Sequence, residues 1–242
     1  MDHFWTKKTV WVGSHRGLSL TSNNIENTIN AFDHPSNQSA DFIELDCIMT
    51  ADNQLIMYHD QDYQELQVTQ TNLSTLHKQL PHLELLKKAA NYLVQHQPTK
   101  GLYLELKPYE KTTQRKQQFL SNVYQLIADY KLNNRCLIAS MDPEIITLTT
   151  QQSTKLKVAY IQPEHSQPIA YKTTAFHCVH IAAINQYKNT VQPLIVWEKS
   201  GEQAILQALK VYTTPKQRKQ WCNSYNIAGF CTNTVDQVKK CL

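Results

Sequence analysis

Glycine is scarce in this chain, with five among 242 residues. Where glycine is rare, each one marks a position whose backbone needs it, and Gly17 follows directly on His15-Arg16. Long apolar runs are absent: no stretch approaches the roughly 20 residues of a transmembrane helix. The opening MDHFWTKKTV has no apolar signal core, so a cytoplasmic protein is expected. Paired cysteine spacing is also missing. The six cysteines, at 47, 136, 178, 222, 231 and 241, are scattered and read as reduced, mostly buried thiols rather than a disulfide frame or a zinc site. Charge of one sign is not in large excess, at a formal +4. The basic clusters at 111–116, 216–219 and 239–240 read as solvated helix faces, and no nucleic-acid motif accompanies them.

What is present is a regular alternation. With 41% hydrophobic residues the chain can build a sizeable core, and its length suits one barrel-sized domain over 1–242. Short β-rich runs lie at 9–14, 42–47, 55–59, 102–106, 136–140, 157–161, 178–181, 209–213 and 227–232, with 193–197 competing for the penultimate place. Helical patterns lie between them at 25–32, 83–96, 113–130, 143–151 and 215–224. Pro143 and Pro215 each suit the first turn of a helix. Repeated strand-then-helix over this length predicts an α/β fold, a somewhat irregular (β/α)8 TIM barrel. One connection breaks the rule. Too few residues separate Asp46 from Leu55 for a parallel crossover, which needs about a dozen. The segment 42–60 is therefore expected to be a hairpin turning at Asp52-Asn53, with Asp46 opposite His59.

Several strand ends carry ionisable residues. In Glu44-Leu45-Asp46 the two carboxylates share one face of a strand, about 7 Å apart along it. Buried together they repel, which a divalent cation would relieve, and hard oxygen ligands favour Mg²⁺ or Ca²⁺. Glu105 and Lys107 repeat the same spacing. They read either as a simple ion pair or as a third metal oxygen and a phosphate-binding charge. His15 and His59 stand at strand ends and can divide acid and base roles near neutral pH. His59 has Asp60 beside it. His180 is a candidate rim contact. Together with Arg16, this inventory suits cleavage of a phosphate ester.

The motifs His15-Arg16-Gly17, Glu26-Asn27-Thr28, Glu44-Leu45-Asp46, His59-Asp60 and Glu105-Leu106-Lys107 occur in that order. In this the chain resembles the glycerophosphodiester phosphodiesterases. Weaker echoes follow at Pro81-His82-Leu83-Glu84-Leu85-Leu86, Ser140-Met141-Asp142-Pro143 and Thr232-Asn233. The resemblance implies a (β/α)8 barrel with Glu44, Asp46 and Glu105 as metal ligands. It implies His15 and His59 as the acid–base pair, and Arg16 and Lys107 as phosphate contacts. Glu26, Asn27 and Asp60 would support them. The implied reaction is metal-dependent hydrolysis of a small glycerophosphodiester to glycerol 3-phosphate and an alcohol.

Some positions depart from the family pattern. Ile25 replaces a usual proline, Ala51-Asp52-Asn53-Gln54 replaces a Lys-Asp-Gly turn, and the segment between His59 and Glu105 is short. Two alternatives stand beside the main reading. One is a lipid phosphodiester substrate, with lysophospholipase D or phosphoinositide phospholipase C-like activity. The other is a barrel without catalysis that serves as a binding module.

Overall fold

The computed structural model describes residues 3–6, 9–17, 24–152, 156–164, 166 and 173–242. In chain order the strands are β1 (Trp11–His15), β2 (Phe42–Met49), β3 (Leu55–Met57), β4 (Asp62–Tyr63), β5 (Leu66–Gln67), β6 (Glu84–Leu85), β7 (Gly101–Leu106), β8 (Cys136–Ser140), β9 (Lys157–Ile161), β10 (Phe176–His180), β11 (Leu194–Trp197) and β12 (Ile227–Thr232). The helices are α1 (Ile29–Phe32), α2 (Leu73–Gln79), α3 (Leu86–Gln95), α4 (Thr113–Asp129), α5 (Pro143–Gln152), α6 (Ala204–Lys210), α7 (Pro215–Ser224) and α8 (Val235–Cys241).

Eight parallel strands close on themselves in the order β1-β12-β11-β10-β9-β8-β7-β2, with β1 pairing β2 to complete the ring. This is a (β/α)8 barrel with helices outside it. Its irregularities are local. No described residue between β9 and β10 is helical, and a 3₁₀ segment, Ile181–Tyr187, stands where a helix would join β10 to β11.

The alternation along each strand sorts side chains inward and outward. Trp11, Phe42, Tyr103, Phe176, Cys178, Ile195 and Cys231 fill the barrel interior, and Trp5 from the short N-terminal 3₁₀ turn joins them. Gly13 is required by this packing. A Cβ there would lie 2.0 Å from the Phe42 ring. Outward residues such as Leu45, Leu104 and Ile138 pack under α3 and α4, and Val12, Val196 and Phe230 pack under α6, α7 and α8. Local chemistry sets the helix ends. In α7, Thr214 Oγ1 accepts from Gln217 N while the Gln217 side chain accepts from Thr214 N, with Pro215 in the first turn.

The hairpin exists, with β2 and β3 antiparallel, but its register differs by one residue from the sequence reading. Cys47 faces Met57, and Tyr58 N donates to Asp46 O, so Asp46 stands opposite Tyr58 rather than His59. The loop is longer than a two-residue turn at Asp52-Asn53 would make it. Thr50 N donates to Gln54 O around three loop residues, and Asn53 takes φ 62°.

A second correction concerns the strand expected at 209–213. The segment instead contains the end of α6, whose Ile205, Leu206 and Leu209 are buried at helical spacing while Val211 is exposed. The competing run supplies the strand, as β11. Two helical expectations also shrink. Helix α1 begins at Ile29, because Thr28 caps it, and the start of the 83–96 pattern pairs with β3 as β6. The basic cluster at 111–116 is not simply solvated: Arg115 binds Glu110, and Lys116 binds Asp142 and Glu144. All six cysteines are free, and only Cys241 is not buried. Among the described residues, no helix is long and apolar enough to cross a membrane.

Candidate active site

Strand register assembles the site. His15 on β1 is level with Glu44 on β2, and Asp46 is level with Glu105 on β7. Strand β2 runs on past this level into the hairpin, so Glu44 and Asp46 lie within a strand yet align with the ends of its neighbours. All face the barrel interior at its C-terminal end, where barrel enzymes build their sites.

The chain leaves β1 by a left-handed turn. Arg16 takes φ 54° and Gly17 takes φ 70°. Gly17 lies against α1, so a Cβ there would be 2.7 Å from that of Ala31. This turn aims Arg16 N at the Glu44 carboxylate, 2.9 Å from Oε2, and at Glu44 O. The guanidinium reaches Asp46 Oδ2 at 3.0 Å through Nε and Glu26 Oε1 at 3.2 Å through Nη1. Asn27, with φ 57°, donates from Nδ2 to Asp46 Oδ2 and accepts from Asp46 N at Oδ1. Lys107 Nζ stands 2.7 Å from Glu105 Oε1 and 3.2 Å from Asp46 Oδ1. His59 Nδ1 donates to Asp60 Oδ1, and Tyr109 OH donates to His59 O, holding the imidazole over the site.

Glu44, Asp46 and Glu105 are all buried, and each offers an oxygen within 4.8 Å of the other two. Burial, with Asp46 and Glu105 beside it, pushes the Glu44 carboxyl well up. Burial also acts on Asp46, but Lys107 and Arg16 outweigh it and hold that carboxyl below its usual range. Lys107 is driven above its usual range by Asp46 and Glu105, against the opposing effect of burial. Burial and the Arg16 charge push His15 down to about 3, so its ring is neutral. Asp46 Oδ1 is buried and has the Lys107 ammonium at 3.2 Å as its ion-pair partner. Three converging hard oxygens that repel one another fit a divalent cation.

A cavity of about 360 Å³ opens above these groups, lined by His15, Arg16, Glu44, His59, Glu105 and Lys107. Tyr103, Met141, Ile161 and Trp197 add an apolar part to the lining, with Lys199 and Ser200. Of the sequence candidates, Asp46, Glu26, Asn27 and Asp60 support this set from outside the lining. His180 does not line the cavity. It is buried edge-on to Trp197, within 3.5 Å of both Glu164 and Glu202. The apolar wall was missed in the sequence. Strand alternation is the signal that finds part of it, since Tyr103 precedes Glu105 by two residues and shares its face.

A closed barrel, an acidic cluster, two histidines and two cations around one cavity define a class: phosphodiester-cleaving barrels. Comparison with known proteins narrows it. A model of the glycerophosphoryl diester phosphodiesterase family matches residues 15–237. The chain belongs to that family and is a phosphodiesterase. Among solved structures it is similar to a glycerophosphodiester phosphodiesterase from Parabacteroides distasonis, with TM-score 0.77, 19% identity and 97% of each chain covered. It is also similar to an Oleispira antarctica phosphodiesterase in complex with the product sn-glycerol 3-phosphate, with TM-score 0.69, 13% identity and 96% of each chain covered. A human lysophospholipase D is 38% identical over 63 residues, which span 26% of this chain and 19% of that protein.

Proposed function

We propose that this chain, working as one domain over 1–242, hydrolyses small glycerophosphodiesters to glycerol 3-phosphate and an alcohol. The observation that carries the reading is the shared cavity. It holds two histidines, the buried carboxylates Glu44 and Glu105, and the cations Arg16 and Lys107. Glu44, Asp46 and Glu105 would hold Mg²⁺ or Ca²⁺, which would polarise the phosphoryl oxygens and lower the charge opposing attack. Arg16 and Lys107 bind the phosphate and stabilise negative charge as it grows on the oxygens. His15, neutral and buried, takes the proton of the attacking oxygen, which bonds to phosphorus as the bond to the alcohol breaks. That oxygen is either water, giving glycerol 3-phosphate directly, or the neighbouring glycerol hydroxyl, giving a cyclic phosphate that water then opens to glycerol 3-phosphate. His59 gives a proton to the departing alcohol oxygen, and Asp60 fixes the direction of its ring. Asn27 and Glu26 hold Asp46 and Arg16 in place for this work.

A second reading is favoured by the wall of Tyr103, Met141, Ile161 and Trp197, which offers apolar surface to an acyl chain. It makes lysophospholipids substrates of the same machinery. One assay series tests both. Glycerophosphocholine, glycerophosphoethanolamine and a lysophosphatidylcholine are offered with Mg²⁺, with Ca²⁺ and with EDTA, alongside His15→Ala and His59→Ala. Metal-dependent release of glycerol 3-phosphate, reduced about 10²- to 10⁴-fold in each variant, is the expected result. Turnover of the lysolipid alone would transfer the assignment to the second reading, and turnover of none would leave a binding module.

A further inference from the structure

Asn233 lies one residue past β12 and has no part in the reaction described above. The β1–β12 register pairs Ser14 with Thr232, so the next pair along is His15 and Asn233. Strand alternation carries both onto the face that holds Gly13 and Cys231.

The Asn233 amide cannot turn freely. Its Nδ2 donates to Lys199 O at 2.7 Å and to Glu202 O at 3.1 Å. Two carbonyl acceptors demand the NH₂ group on that side, which fixes Oδ1 on the other. The backbone is held as firmly. The fully buried Glu198 carboxylate accepts from Asn233 N at 3.1 Å, from the Thr232 hydroxyl, and from Ile205 N at the start of α6. The loop after β11 and the end of β12 are thereby tied together beneath Asn233.

Two buried atoms remain. Asn233 Oδ1 and His15 Nδ1 are both buried, and neither has a hydrogen-bond partner among the described residues. The Asn233 side chain favours the protonated form of the His15 ring, as a nearby acceptor does and a donor does not.

We infer that Asn233 is a positioning residue whose Oδ1 accepts from His15 Nδ1–H, so that the bare Nε2 is presented to the cavity. A neutral imidazole carries one proton, and which nitrogen holds it is set by the partner of the other. Without this acceptor the proton can move to Nε2, and the ring then has no lone pair facing the substrate. Glu198 serves the same end at one remove, by holding the strand end that carries Asn233. The inference rests on the reading of His15 as the base, but its first test does not depend on turnover.

That test is the tautomer itself. Protein labelled with ¹⁵N-histidine is measured near neutral pH by long-range ¹H–¹⁵N correlation, with the His15 signals identified by their loss in His15→Ala. The wild type is expected to show a protonated Nδ1 and a bare Nε2. Asn233→Leu is expected to shift His15 toward the Nε2–H form and to lower kcat on glycerophosphocholine about 10- to 100-fold, with KM changed less than about threefold. Asn233→Asp keeps an acceptor at that place and is expected to retain the wild-type tautomer and recover most of the rate. An Nε2–H ring in the wild type, or an unchanged tautomer in Asn233→Leu, overturns the inference whatever the activity. If the tautomer is as stated and no glycerophosphodiester is cleaved, the functional reading fails and the Asn233–His15 contact stands.

Discussion

Arg16 Nε and Asp46 Oδ2 stand 3.0 Å apart, with Asp46 wholly buried. The contact exists because Arg16 adopts a left-handed backbone at the end of β1, which turns its side chain back over β2. It couples the cation proposed to bind phosphate to the acidic cluster. Arg16→Ala is expected to lower turnover about 100-fold or more and to cost about 2–3 kcal/mol of stability. The stability loss is partial because Lys107 and Asn27 still contact Asp46. Arg16→Lys is expected to fall between, since it keeps the charge and loses the fork. Urea unfolding and steady-state kinetics on the same variants measure both.

The acidic cluster predicts a response to divalent cations without substrate. Mg²⁺ or Ca²⁺ at about a hundredfold excess over its Kd is expected to stabilise the fold by about 2.7 kcal/mol. For a domain of this size that raises the thermal midpoint by about 5–10 °C. EDTA is expected to reverse the shift, and Glu44→Gln to reduce it strongly. A thermal melt that ignores both ions would remove the metal site.

His177 predicts a pH dependence that does not involve the active site. It lies on β10 among Tyr160 and Tyr187, with its Nε2 buried and unbonded among the described residues, and burial pushes it down to about 4. Its unfolded value is near 6.5, so between these values the unfolded chain binds the extra proton. Stability contributed by the neutral ring is therefore complete above about pH 6.5 and is lost as the pH falls toward 4. Between pH 7.5 and 5 the loss from this residue is about 2 kcal/mol. His177→Phe is expected to flatten that part of the stability profile, as measured by denaturant unfolding at each pH.

Asn53 closes the β2–β3 hairpin at φ 62°, and its Oδ1 accepts from Arg115 Nη1 at 2.6 Å. Arg115 also binds Thr50 O and Glu110, which ties the turn to the start of α4. Asn53→Ala removes the bond and places a less tolerant residue in a left-handed conformation, at an expected cost of about 1–2 kcal/mol. Asn53→Gly removes the same bond but relieves the backbone, so it is expected to cost less. Comparing the two by urea unfolding separates the two contributions.

Much of this was legible in the sequence, for reasons that differ from element to element. Strand β12 and helix α7 match their expected bounds because their signals are local. A buried β-rich run ends in Thr232, and Thr214-Pro215 with Gln217 starts a helix on its own chemistry. The segment 209–213 misled because a few β-branched and aromatic residues after a helix look like a strand when burial is unknown. The hairpin register slipped by one residue because the loop length depends on Asn53 accepting a left-handed backbone, which composition does not announce.

The amino-acid order determined which groups could do chemistry here. Spacing of two residues put Glu44 with Asp46 and Glu105 with Lys107, since strand geometry alone sets which side chains share a face. Only the closed barrel decided which of those faces meet. Barrel closure pairs β1 with both β2 and β12, bringing His15 beside Glu44 on one side and Ser14 beside Thr232 on the other, from opposite ends of the chain. It also brought Met141, Ile161 and Trp197 into the lining of the cavity that holds Glu44 and Glu105. Such contacts rest on strand register and on the inward packing of distant segments, and neither is written in any short stretch of sequence.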